Sequence, residues 1–173
     1  QPLQNLVSSL LAAGLGQGAY LANLLLTGIP LVLISGLVQE GAKLFPTVIY
    51  WQYHGRKIDP KLGLTLGAMA GAGFGIIEAQ WIHNMIFAAG WTPEIASTLG
   101  ITAYAGFWER FFTVCFHISV SALAGWGLAR GWGWQFYLIA SFAHGFVNYS
   151  AILTQTGVFN TLMAEIFIAL CAV

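Results

Sequence analysis

Apolar runs long enough to cross a bilayer as a helix, about 20 residues each, recur down this chain. They occupy residues 3–26, 29–51, 62–89, 98–128, 135–153 and 158–173, which predicts about six membrane spans. The runs are continuous rather than alternating, so helices and not barrel strands must satisfy the backbone in lipid. Only 7% of the 173 residues are charged, where a water-soluble domain carries about 25%. So few charges cannot cover a soluble surface. Six basic residues balance six acidic ones, leaving no electrostatic footprint for nucleic acid. Cys115 and Cys171 sit in apolar runs and form neither a disulfide framework nor a metal-ligand pair. The expected fold is an all-α polytopic transmembrane bundle, a single integral-membrane domain over residues 1–173.

The first run is interrupted by Gly14, Gly16, Gln17 and Gly18, which predicts a split or a kink. The third and fourth runs are long enough to need tilting or protruding ends. Segment 54–61 holds three of the six basic residues, and Arg130 lies in the other short basic loop. The loops around Pro93 and Glu94 and at 154–157 carry no Lys or Arg. Alternation across six spans puts both basic loops on one side, which the positive-inside rule makes cytoplasmic. Both termini are then expected in the cytoplasm, with the protein in a prokaryotic plasma membrane. Trp51, Trp91, Trp132 and Trp134 fall near span ends, as interfacial aromatics do.

Ionisable side chains inside spans are expensive and by default face a cavity or a partner. A rise of about 1.5 Å per residue puts Glu40 about 16 Å in from Trp51, His117 about 16 Å in from Leu128, and His144 about 15 Å in from Trp134. Three costly groups from three helices share one level, which predicts a single polar cavity among spans two to five. Further out, Glu78 and Arg110 lie at similar depth and are expected to pair. Glu40 and Lys43 are three apart and can pair on one helix. His144 and Asn148, four apart, share a face. Gly67, Gly71 and Gly75 form a stripe that lets a neighbouring helix approach and brings Glu78 to its partner. His54 and His83 read as ordinary polar residues outside the site.

A carboxylate in an apolar pocket is a usable base toward water, and a His or an Asn amide can hold an oxyanion. That equipment suits peptide-bond hydrolysis without a covalent intermediate. Glu40, His117 and His144 could instead bind zinc with an open fourth position. Two other classes stay open. Intramembrane Glu and His also build the relays of a proton-coupled transporter, and the same side chains could serve packing in a non-catalytic scaffold.

QEGAK at 39–43 resembles the EExxK motif of the PrsW-type intramembrane proteases. GFGIIEA at 73–79 is similar to their Gly/Phe-rich stretch ending in Glu, ERFFTVCFH at 109–117 to their Arg-then-His helix, and HGFVN at 144–148 to their HxxxN. That clan includes the CAAX prenyl endopeptidases, the Abi proteins, the YhfC-type bacterial membrane peptidases and the Aph subunit of gamma-secretase. The blocks span residues 37–152. The resemblance implies a glutamate-type intramembrane endopeptidase, without a cofactor, acting on transmembrane or membrane-associated peptide substrates in the lipid bilayer. It implies catalytic roles at Gln39, Glu40, His117, His144 and Asn148, with Lys43, Glu78 and Arg110 supporting them. One departure stands out: the motif opens with two glutamates, and the first is Gln39 here. Glutamine cannot take a proton from water. Glu40 is then the base, or the chain is an inactive relative, or Gln39 is an inactivating substitution. Under the last reading Gln39→Glu restores activity.

Overall fold

The computed structural model describes residues 2–173, and among them it is helical and without strands. The helices are α1 (Pro2–Leu15), α2 (Gln17–Ala22), α3 (Leu24–Tyr53), α4 (Pro60–Ala88), α5 (Pro93–Leu99), α6 (Ala105–Ala129), α7 (Gly133–Gln155) and α8 (Thr161–Ala172). A 3-10 turn over Gly100–Tyr104 links α5 to α6. Four stretches are long and apolar enough to cross a membrane: α3, α4, the run from α5 through α6, and α7. The shorter apolar helices α1 and α8 account for the first and last runs. At 1.5 Å per residue they reach about 21 and 18 Å.

Two of the expected runs are not single rods. Gly16 takes φ +80°, a conformation that costs glycine little, and the first run breaks there into α1 and α2. The fourth run begins as a separate short helix. Pro93 at its first turn and the Thr92 hydroxyl accepting from the Ile95 N–H start α5, and Gly100 at φ +63° ends it. The run is thus divided between two helices joined by the 3-10 turn. α4 starts where Asp59 caps the Lys61 and Leu62 amides ahead of Pro60.

α6 is the hub, packed against α4, α7 and α8, while α3 packs along α7. Small residues set both main contacts. A Cβ on Gly63, Gly67 or Gly71 would overlap the α6 backbone at Gly125, Ser121 and His117, and one on Gly36 would overlap Ser141 of α7. Leu44, Phe116, Val120, Ala124, Leu128, Ala140, Val147 and Ile168 fill the space between. The outside is apolar, with Phe45, Ile77, Phe111, Phe142 and Leu170 all exposed, as a lipid-facing surface requires. Arg56 lies over the Trp51 ring and Arg130 over Trp126, so both basic loops lean on aromatic rings.

The α4–α6 seam makes a test. Gly67→Ala must push two rigid backbones apart and should cost about 1–3 kcal/mol, the usual range for overpacking. Gly73→Ala on the same helix meets nothing within 4 Å and should be neutral or mildly stabilising. Thermal unfolding in detergent separates the two.

Candidate active site

α3 presents Ser35, Gln39, Glu40 and Lys43 at helical spacing toward the bundle interior, and Ser35, Glu40 and Lys43 are buried there. α4 adds Phe74 and Glu78, α6 adds Arg110 and His117, and α7 adds His144 and Asn148. Glu78 reaches α6 because Gly75 sits against it, where a Cβ would lie 3.2 Å from the His117 ring. The three groups expected at one depth do meet. His117 and His144 have ring centroids 5.1 Å apart, and Glu40 Oε1 lies 2.7 Å from His144 Nδ1.

A continuous chain of polar contacts runs through the bundle. His144 Nδ1 bonds Glu40 Oε1, which also pairs with the Lys43 ammonium. Lys43 Nζ continues to His117 Nδ1 at 2.9 Å, and His117 Nε2 reaches Glu78 Oε2 at 3.0 Å. Arg110 closes the chain, 3.4 Å from Glu78 Oε2 and paired on its other side with Glu109. The expected Glu40–Lys43 and Glu78–Arg110 pairs both form. The Lys43–His117 link and the Glu109 pair escaped the sequence reading, since neither depth nor helical spacing relates Lys43 to α6 or two adjacent residues to each other.

This chain dictates the protons on both imidazoles. An ammonium only donates and a carboxylate only accepts. His117 Nδ1 therefore accepts from Lys43, and its Nε2–H donates to Glu78. His144 Nδ1–H donates to Glu40, so in the neutral ring the lone pair lies on Nε2, without a protein partner among the described residues.

Beside the chain lies a cavity of about 720 Å³, walled by α3, α4, α6 and α7 with Ile168 of α8. Gln39, Glu78, His117, His144 and Asn148 line it, as does Arg110. Glu40 and Lys43 stand behind the wall, with side chains 1% and 0% exposed, while Glu78 is 24% exposed. Glu40 therefore meets the cavity through His144. Ser35, missed in the sequence, lines the wall too and accepts from both Gln39 Nε2 (2.8 Å) and Asn148 Nδ2 (3.2 Å). Its spacing of four residues before Gln39 was the available signal. His54 stacks on Tyr50 and His83 lies against Phe107, both away from this site.

The four blocks that resembled the PrsW-type proteases thus converge on one cavity. The sequence matches the family described as PrsW family intramembrane metalloprotease over residues 4–173. The chain belongs to this family. Neither a curated protein nor a solved structure matches it. Membership in the PrsW family makes it an integral membrane protein of an intramembrane protease family.

The PrsW family description names a metal, and Glu40, His117 and His144 offer ligand atoms within 4.8 Å of one another. A divalent ion at these atoms would compete with Lys43. Lys43 already supplies the positive charge there, bridging Glu40 Oε1 and His117 Nδ1. It uses the lone pair that His117 would give a metal, and it would repel a dication at contact range. Glu40 Oε1 is shared between the Lys43 ammonium and the His144 Nδ1–H, while the His144 Nε2 lone pair stays free. Purified protein is expected to carry substoichiometric zinc by elemental analysis, and Lys43→Met to carry more.

Proposed function

We propose that this chain is an intramembrane endopeptidase that hydrolyses peptide bonds in other membrane proteins by a glutamate-dependent mechanism without a cofactor. The observation that carries this reading is the buried Glu40–His144 pair, which turns a bare imidazole nitrogen into a cavity inside the membrane. His144 Nε2 takes a proton from water, and the hydroxide attacks the scissile carbonyl. Glu40 holds the ring in the productive tautomer and balances the charge that forms on it, the part a buried carboxylate plays behind a catalytic His in serine proteases. His117, clamped between Lys43 and Glu78, does not reach substrate with a free N–H. It ties the Glu40–Lys43 pair to Glu78 and Arg110 and keeps the four helices in register. Asn148 offers an amide N–H to the developing oxyanion.

Substrate access from the side suits this arrangement. Ile77 and Trp81 of α4 line the cavity and are also exposed on the outer surface, so a transmembrane peptide could reach the wall from lipid. The basic loops after α3 and after α6 would face the cytoplasm of a prokaryotic cell.

The test is an unbiased comparison of membrane-protein fragments in cells with the wild-type chain, with His144→Gln, with Glu78→Gln and with no copy. New termini that need the wild-type chain and disappear in His144→Gln support the reading. Termini that survive His144→Gln and vanish in Glu78→Gln move the base to Glu78, whose second oxygen is also uncommitted. No chain-dependent terminus in any membrane ends the protease reading.

A further inference from the structure

The wall that must stabilise an oxyanion is short of hydrogen-bond donors. His144 Nε2 carries a lone pair, the His117 N–H is spent on Glu78, and Lys43 lies behind the wall, committed to Glu40 and His117. Arg110 is engaged with Glu78 and Glu109 through both terminal nitrogens, and its remaining unpartnered donor, Nε–H, is buried. Two neutral side-chain amides, Gln39 on α3 and Asn148 on α7, also line the cavity. Each is fixed by a hydrogen bond to the same buried atom, Ser35 Oγ. Each –NH2 group uses one hydrogen on that bond and keeps one free. A single oxygen therefore holds two amide donors side by side.

Gln39 has a second feature that fits. Its Oε1 is buried and has no partner, a costly state for a carbonyl oxygen. Gln39 Nε2 spends one hydrogen on Ser35 and keeps one N–H with no protein acceptor.

We propose that Gln39 is a catalytic residue of this chain: with Asn148 it forms the oxyanion hole, and Ser35 is the positioning residue that aligns the two amides. This rests on the endopeptidase reading above. Water gives its proton to His144 Nε2, and its oxygen bonds the carbonyl carbon. The carbonyl electron pair moves onto oxygen, where the Gln39 and Asn148 N–H groups donate to it. Collapse restores the carbonyl and breaks the C–N bond, and the proton on His144 passes to the departing nitrogen. Glutamine at this position then acts as a donor and replaces no base.

The experiment uses the full chain in liposomes with a peptide spanning a cleavage site found in the fragment comparison. Gln39→Glu keeps the size of the side chain and exchanges a donor for an anion. We expect kcat to fall about a hundredfold or more with KM little changed, the usual effect of losing one oxyanion donor. Gln39→Met, of similar length and without a donor, should fall comparably, and Ser35→Ala should lower kcat at unchanged KM. A Gln39→Glu chain that cleaves faster than wild type, or a folded Gln39→Met chain at the wild-type rate, overturns the assignment while leaving the endopeptidase reading intact. Should Gln39→Glu fail to fold, Gln39→Met decides alone. If no form cleaves any peptide, the endopeptidase reading fails and this role fails with it.

Discussion

Glu40→Gln should be the most destabilising single change in the site, costing about 3–5 kcal/mol, the usual penalty for removing one member of a buried ion pair. The reason is Lys43. Its ammonium is fully enclosed, pairs with Glu40 Oε1, contacts His117 Nδ1 and lies 5.4 Å from the Phe74 ring centroid. Glutamine leaves that charge inside the bundle with a neutral oxygen where its counter-ion stood. Lys43→Met should be milder, because Glu40 keeps His144 as a donor. The Glu40→Gln/Lys43→Met pair should recover most of the loss, since no unpaired charge remains. Thermal unfolding of the four proteins in one detergent reads this cycle. A double variant no more stable than Glu40→Gln would mean that the ion pair is not what the bundle depends on.

His144→Gln should lower the rate of peptide hydrolysis by about 10²–10⁴-fold, the range general-base groups supply. Glutamine can still donate to Glu40, so the helices stay tied, and a loss in kcat without a matching loss in melting temperature separates chemistry from structure. Added imidazole should partly restore the rate of His144→Ala, because the small side chain leaves room for the missing ring beside Glu40. Rate loss without rescue, together with a collapse in stability, would assign His144 to packing. The Glu40 cycle and the His144 measurement are complementary, one reading how the carboxylate holds Lys43 and the other what it does to an imidazole.

Much of this was legible in the chain itself. Hydrophobic runs of membrane length leave helices as the only economical solution in lipid, so the spans from α3 to α7 follow from composition and length. Depth placed Glu40, His117 and His144 together because the bilayer gives all spans a common frame, and a rise per residue converts sequence position into height. The glycine stripe on α4 foretold the close seam with α6, since only a small side chain admits a backbone. The break at Gly16 was foretold by the glycines that interrupt the first run, but the one at Gly100 was harder, because a lone glycine inside an apolar run permits a positive φ without requiring it.

Height is one coordinate, and the remaining two belong to packing. Which way each helix turns decided that Glu40 lies behind His144 rather than in the cavity, that Lys43 bridges to α6, and that Ser35 gathers Gln39 and Asn148. Rotation about a helix axis depends on neighbours many residues away, such as Ser141 against Gly36 and His117 against Gly71. The sequence by itself determined that costly polar groups would share a plane inside the membrane. Only the tertiary structure decided which of them face the cavity and which hold its wall, because protons and charges are assigned by contact, and contact is made between helices.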